Sequence, residues 1–342
     1  MADPRVAPLR PVASDPARPN VLVTSASRKV LLVRAFREAL AATGGGRVIA
    51  ADLSPIAAAL YEADEARLVP RSDDPGFVEA LLAICERDRV GLVVPTRDEE
   101  LPVLAAVRER FAAAGTLVLV SSPEAIDACR DKRLFAAAVA AAGLDAPATF
   151  ADPESAPIPA FVKPRFGKGG MGATEVDTRD ELRAAVAALG DDAVVQELIE
   201  APEFTVDVFI DLEGTPISCI PRRRVAVVSG ESVVSWTVRD AGLAAASLRL
   251  CASIGLVGHL TVQAFRSRTR IAFIEINPRY GGAANLGFAA GARTPEYAIR
   301  IARGERVAPR LDDYDDSLVM LRHGEDRFVR RADLIEPRGA SG

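Results

Sequence analysis

Between positions 20 and 120, short apolar runs alternate with segments whose apolar residues recur every three or four positions. Val21-Leu22-Val23-Thr24, Arg47-Val48-Ile49-Ala50-Ala51, Ala66-Arg67-Leu68-Val69, Gly91-Leu92-Val93-Val94 and Leu117-Val118-Leu119-Val120 read as strands. Positions 30–42, 77–87 and about 99–114 carry helical periodicity between them. Strands alternating with helices predict a parallel, doubly wound, Rossmann-like sheet over residues 20–120. Ligands of such sheets gather at the carboxyl ends of the strands. Those ends hold Ser25, Ser27 and Arg28, then Asp52, then Thr96, Arg97 and Asp98.

The pattern changes after Ser121. A helix carrying Asp131-Lys132-Arg133 ends at Gly143, and the Pro-rich stretch 146–159 reads as a connector. Strands at Phe161-Val162-Lys163, 173–176, 194–199 and 204–209, with a helix at 179–189, have few spacers between them. They predict a small, largely antiparallel α+β lid over about 158–210. Strands near 216–220, 261–265 and 271–276 flank a helix at about 239–254, and 229–236, with the lone Trp236, reads as a loop. No internal repeat is visible. The expected organisation is a disordered arm at 1–19, a Rossmann-like domain at 20–120, a two-part α+β domain at 121–330 and a tail at 331–342.

Composition narrows the function classes. The 342 residues suffice for two or three domains, and the formal net charge of −5 disfavours nucleic acid or an anionic membrane as the partner. No apolar run approaches the roughly 18 residues of a membrane span. The arm lacks the apolar core of a signal peptide. Cys85, Cys129, Cys219 and Cys251 have no metal-ligand spacing, and His259 and His323 are too few for a zinc site. A reducing cytoplasm is the expected setting. Lysine is nearly absent, with Lys29, Lys132, Lys163 and Lys168 the four in the chain, against abundant arginine. A lysine kept in such a background points to a place that requires an ammonium rather than a guanidinium.

Three segments carry candidate chemistry. Lys163-Pro164-Arg165-Phe166-Gly167-Lys168-Gly169-Gly170-Met171-Gly172 joins a strand to a glycine-rich loop. It reads equally as a phosphate cradle or a mobile hairpin turn, and it is not a P-loop, because Gly169 stands where Ser or Thr is required. Gln196-Glu197-Leu198-Ile199 ends a strand, with Glu203 just beyond; it suits a nucleotide base and ribose, or a plain acidic turn. Gln263 lies on one strand, with Glu275 and Asn277 two apart on the next. The pair faces one side, and the short connection 266–270 predicts a hairpin that brings Gln263 alongside. Clustered carboxylate and amide oxygens suit a hard cation such as Mg2+, and a buried unpaired carboxylate is costly without one. Arg279 follows directly, beside the expected metal.

Lys132, Lys163 with its glycine loop, Glu197-Leu198-Ile199 and Glu203, then Gln263 and Glu275-Ile276-Asn277-Pro278-Arg279, resemble the ATP-grasp superfamily in order and spacing. The likeness is to carbamoyl-phosphate synthetase large-subunit-like proteins with a single ATP-grasp unit, and it extends over about residues 20–325. It implies a pre-ATP-grasp parallel-sheet domain followed by a two-part ATP-grasp fold. Lys132, Lys163 and Lys168 would contact ATP phosphates, and Gly169, Gly170 and Gly172 would close over them. Glu197, Leu198 and Ile199 would hold adenine, and Glu203 the ribose. Gln263, Glu275 and Asn277 would bind Mg2+ (or Mn2+), and Arg279 would stabilise the transferred phosphoryl group. The implied activity is an ADP-forming ligase that activates a small carboxylate as an acyl-phosphate for attack by an amine, of amino-acid or small-peptide type.

Arg222, Arg223 and Arg224 read as capturing a substrate carboxylate or as a solvated strand end, and Asn285 as a substrate contact. Trp236 reads as a lid aromatic or a core residue. A homodimer is the commonest assembly for such a chain. Two other functions compete. A nucleotide-binding regulatory module would not need Arg279 or the metal set, and a nicotinamide-dependent oxidoreductase lacks its glycine fingerprint in Ser25-Ala26-Ser27-Arg28.

Overall fold

The computed structural model describes residues 18–167 and 169–335. Its first part contains β1 (Asn20–Val23), α1 (Val30–Ala42), β2 (Val48–Asp52), β3 (Glu65–Leu68), α2 (Phe77–Arg87), β4 (Val90–Val94), α3 (Leu101–Ala113) and β5 (Leu117–Val118). The strands pair in parallel in the order β3-β2-β1-β4-β5, with the chain reversing direction of travel between β1 and β4. Every residue of β1 and β2 is buried, which is why these strands read as unbroken apolar runs rather than alternating ones.

Two buried acids shape the carboxyl edge of this sheet. Glu100 accepts the Thr96 and Arg97 backbone N–H groups at 2.6 and 3.0 Å and the Ser25 hydroxyl at 2.9 Å. Asp52 accepts the Ser27 N–H at 2.7 Å. These bonds hold Ser25 and Ser27 at φ 47° and 46°, a left-handed conformation that non-glycine residues adopt at a cost. The arm expected at 1–19 lies outside the described residues except for Arg18 and Pro19; Arg18 donates to the Cys85 carbonyl at 2.9 Å. Residues 336–342 of the expected tail also lie outside.

α4 (Pro123–Arg130) and α5 (Lys132–Ala141) follow, with Asp131 capping α5 by accepting the Arg133 N–H at 2.9 Å. A small antiparallel sheet then forms from β6 (Thr149–Phe150), β7 (Ala160–Pro164), β8 (Thr174–Val176) and β9 (Ala193–Glu197), in the order β6-β9-β7-β8. α6 (Arg179–Leu189) covers it, started by a Thr178/Glu181 capping box. Its own apolar cluster comprises Ala156, Ala160, Val162, Val176, Leu182 and Val195.

The remaining elements are β10 (Glu203–Ile210), β11 (Pro216–Val228), β12 (Glu231–Thr237), α7 (Ala241–Ile254), β13 (Gly258–Arg266), β14 (Ile271–Asn277), α8 (Ala284–Ala289), α9 (Thr294–Ala302) and β15 (Val319–Leu321). They build a six-stranded antiparallel sheet ordered β14-β13-β10-β11-β12-β15. Two expectations are corrected here. β10, expected within the lid, pairs with β11 and β13 of the larger sheet, so the small sheet's strands end at Glu197. Residues expected as a short strand and a loop form the long hairpin β11–β12, with Trp236 inside β12.

This sheet has two unlike faces. Val206, Val208, Leu260, Val262, Ala264 and Ile276 point to one side, where they pack with Phe135, Val139, Leu243 and Leu250 of α5 and α7. Alternation puts Thr205, Asp207, Gln263, Glu275 and Asn277 on the other. A further core joins the two large sheets: Val33, Phe36 and Leu40 of α1 cluster with Phe209, Ile217, Tyr280, Tyr297 and Ile299.

Candidate active site

The hairpin β13–β14 sets Gln263 directly opposite Glu275 and Thr261 opposite Asn277. The Asn277 side-chain amide donates to Glu275 Oε1 at 2.9 Å. The sequence brings these groups together because the two-residue spacing along β14 and the antiparallel register place them on the polar face.

Four cations direct their charge at Glu275: Lys132, Lys163, Arg224 and Arg279. Lys132 is the first residue of α5; its ammonium donates to the Gly167 carbonyl and its N–H to the Arg165 carbonyl, both at 3.2 Å. The helix start is thereby pinned to the glycine loop. Lys163 sits in the middle of β7 and is 6% exposed. Burial draws its pKa down to about 8, Glu275 partly opposes that fall, and Lys132 adds to it. Burial lowers Lys132 as well, against Glu275 and Asp131.

Glu203 on β10 and Arg224 on β11 form an ion pair at 3.0 Å. Burial raises the carboxyl, with Arg224 opposing, and lowers the guanidinium, with Glu203 opposing. Arg279 reaches across to the parallel sheet, where Asp98 accepts its Nε at 2.7 Å and its Nη2 at 2.5 Å. Burial pulls the Arg279 pKa down, but the Asp98 charge and hydrogen bonds outweigh it, so this guanidinium stays protonated. Beside Glu275 and Asn277 opens a cleft of about 190 Å³ whose walls include Asp98, Lys132, Phe135, Phe166, Met171 and Glu275.

Among the described residues no group of three or more His, Cys, Asp or Glu side chains could hold a metal. Gln263, Glu275 and Asn277 supply one carboxylate and two amides. Such a sparse oxygen set fits Mg2+, which keeps waters and takes substrate phosphates beside one or two carboxylates.

The other candidates fall into place unevenly. Gly169, Gly170 and Gly172 lie in the β7–β8 loop at φ 61°, 72° and 73°, and Lys168 lies outside the described residues. The Glu197 carboxylate is occupied by Arg270 Nη2 at 2.5 Å and the Ala148 N–H at 2.8 Å, so Glu197, like Leu198 and Ile199 after it, offers chiefly backbone. Arg222 is a correction. It is not a solvated strand end: the guanidinium is buried, its Nε donates to Asp207 at 2.8 Å, and its Nη1 has no hydrogen-bond partner among the described residues. Arg223 points to the other face, where its guanidinium lies 5.5 Å from the Trp236 ring centroid. Asn285, the second residue of α8, is half-buried, and its Oδ1 has no hydrogen-bond partner among the described residues.

Two residues were named from the sequence without their partners. Asp98 stood out at a strand end without its partner, and Arg224 was one of three adjacent arginines. Strand alternation alone separates Arg222 and Arg224 from Arg223, and only the neighbouring strand tells Asp207 and Glu203 apart as partners.

Comparison with known proteins adds a second line of evidence. The model of the PylC-like N-terminal domain family matches residues 21–119, and that of the ATP-grasp domain matches residues 129–283. The carbamoyl phosphate synthase large chain of Gemmatimonas aurantiaca is 27% identical over 260 residues, 69% of this chain and 24% of that protein. That of Thermoplasma acidophilum is 26% identical over 260 residues, covering 68% and 25%. The chain thus spans about a quarter of the length of these curated relatives. Among solved structures, the biotin carboxylase–β-γ-ATP complex of Campylobacter jejuni superposes with a TM-score of 0.71 at 19% identity, over 88% of this chain and 74% of that one. The N5-carboxyaminoimidazole synthetase of Staphylococcus aureus complexed with ADP gives 0.68 at 15% identity, over 87% and 80%.

Proposed function

We propose, for a chain that carries an ATP-grasp domain behind a PylC-like N-terminal domain, an ADP-forming ligase that activates a small carboxylate and passes it to an amine. The observation that carries this reading is the convergence of Lys132, Lys163, Arg224 and Arg279 on the single carboxylate of Glu275. With Arg224 paired to Glu203 and Arg279 to Asp98, the two lysines outweigh Glu275 and leave a partly desolvated positive site that suits a phosphate-bearing anion. Electrostatics of this kind act strongly because the site excludes water and the groups are already in place.

In this reading Lys132 and Lys163 grip the phosphates and the glycine loop covers them. Glu197 to Ile199 present backbone to the base, and Glu203, held by Arg224, meets the ribose. Gln263, Glu275 and Asn277 would hold Mg2+, which supplies charge neutralisation at the phosphoryl oxygens. The substrate carboxylate attacks the γ-phosphorus and ADP leaves; the amine then displaces phosphate from the acyl-phosphate. Arg279, oriented by Asp98, offsets charge on the phosphoryl group in transfer. Closure of the glycine loop, which carries the exposed Phe166 and Met171 at the cleft wall, would keep water from the labile anhydride. No nucleophilic side chain is required.

The test is ADP release from Mg-ATP with pools of carboxylic acids and amines, in the wild type and in Glu275→Gln. The expected result is substrate-stimulated release that falls by about a hundredfold or more in the variant. Equal release by both proteins, or no binding of Mg-ATP by the wild type, would sink the reading.

A further inference from the structure

β15 is three residues long, and the side chain just past it bridges segments that lie far apart in the sequence. The Arg322 N–H extends the β12–β15 ladder by donating to the Val233 carbonyl at 2.8 Å. The guanidinium then divides its two Nη groups. Nη1 donates to the Glu231 carboxylate at the start of β12, and Nη2 to the carbonyl of Gly282, three residues after Arg279. A planar guanidinium serves two acceptors in fixed directions at once, which a lysine ammonium does less rigidly.

The two acceptors are pressed together. A Cβ at Gly282 would lie 3.2 Å from Glu231 Cδ, so a side chain there would crowd the carboxylate. β13 holds the same turn from the sheet: a Cβ at Gly281 would stand 2.7 Å from Thr261 Oγ1, and that hydroxyl donates to the Arg279 carbonyl at 3.3 Å. Glu231 in turn follows Gly230, the hairpin-tip residue that lies against Gly169 of the glycine loop. Arg224 also holds this tip, donating to the Gly230 carbonyl at 2.9 Å. A line of contacts therefore runs from the glycine loop through Gly230, Glu231, Arg322 and Gly282 to the turn that begins at Arg279. Glu231 is 58% exposed, so its ion pair with Arg322 adds little to stability. What the pair does is join the hairpin tip to the turn.

We propose that Arg322 is a positioning residue: through Glu231 and Gly282 it couples the hairpin tip that meets the glycine loop to the turn carrying Arg279. Closure over the nucleotide then also fixes the guanidinium that offsets charge on the phosphoryl group. The inference rests on the ATP-dependent reading above. In this role Arg322 acts through its two partners and touches neither nucleotide nor substrate.

The experiment is hydrogen exchange of the full chain with and without MgADP, in the wild type, Arg322→Met and Glu231→Ala. In the wild type MgADP is expected to slow exchange in the glycine loop, in residues 228–232 and in residues 280–286. In both variants the glycine loop and the tip, still held by Arg224, should respond as before, while 280–286 should lose its response. Exchange of β10 and β13 without nucleotide should match the wild type, which separates uncoupling from misfolding. An undiminished response of 280–286 in the two variants overturns the proposal. Failure of MgADP to protect the glycine loop in the wild type is a different result and overturns the ATP reading, and this inference with it. Kinetics give a second readout: kcat is expected to fall about tenfold in either variant, with the KM for ATP within about twofold of the wild type. Because both residues act in one link, the double variant should fall no further than Arg322→Met alone. An unchanged kcat in both single variants, or losses that simply multiply in the double variant, would equally overturn it.

Discussion

The ammonium of Lys163 gives up most of its hydration inside β7, and the Glu275 carboxylate is the negative charge that partly compensates it. Its pKa of about 8 means that the group is charged below that pH and loses its charge above it. If the charged form is the one that holds phosphate, affinity for MgADP should be flat at lower pH. It should then weaken by up to about tenfold per unit as pH rises past 8. Isothermal titration between neutral pH and about pH 9.5 reads this directly, and Lys163→Met should bind weakly with that pH step removed. A wild-type affinity that does not change across the range would show that Lys163 does not face the phosphates. Much of the site was readable at this scale. The two-residue spacing of Glu275 and Asn277, the hairpin that adds Gln263, and the scarcity of lysine all pointed to residues that the structure gathers about Glu275. Arg222 misled for a definite reason: its partner Asp207 is distant in sequence on the adjoining strand, and a buried ion pair looks the same as a free guanidinium when only one chain segment is in view. Removing one member of such a pair costs about 3–5 kcal/mol, so replacing Arg222 is expected to destabilise the fold.

The elements that cover the cleft are the β7–β8 loop and the β11–β12 hairpin, and they touch at Gly169 and Gly230. A Cβ at Gly230 would stand 2.7 Å from Gly169 Cα, and Gly230 has φ +77°. Both the close approach and the left-handed backbone therefore require glycine. Gly230→Val should push the hairpin tip off the glycine loop while leaving the sheet pairing intact. The expected outcome is about a tenfold weaker KM for ATP, with unfolding shifted by no more than a few degrees because the tip is exposed. Unchanged ATP kinetics would mean that the contact plays no part in closure. The hairpin was invisible in the sequence. Pro221 and the arginines at 222–224 interrupt the apolar alternation that marks β11, so the segment read as a short strand followed by a loop. Pairing with β10 and β12 supplies the backbone bonds that local propensity does not indicate. By contrast, α1, α2 and α6 appear at the positions their periodicity predicts, since an amphipathic stripe over three turns is a strong local signal.

Across the whole molecule the sheets are joined in two different ways. The parallel sheet and the six-stranded sheet share one apolar core, in which the Phe36 and Tyr280 rings meet edge-on with centroids 5.7 Å apart, and the Asp98–Arg279 ion pair crosses the same boundary. The small sheet is tied by polar contacts instead: Arg165 to Asp131 at 2.8 Å, Lys132 to Gly167 at 3.2 Å, and Arg270 to Glu197 at 2.5 Å. Its apolar cluster is its own. Apolar burial couples two bodies cooperatively, whereas a few polar contacts that are not fully buried contribute little each and yield more readily. The small sheet should therefore open as a separate unit while the two large sheets open together. Native-state hydrogen exchange without nucleotide should show lower protection for β7 and β9 than for β2, β4, β10 and β13, with the last four at a common level. MgADP, which in the proposed site bridges Lys163 on β7 and Glu275 on β14, should raise β7 and β9 toward that level. If β2 and β4 instead exchange at a level distinct from β10 and β13, the shared core does not couple the sheets. The Asp98–Arg279 ion pair would then lie across a hinge rather than within one rigid body.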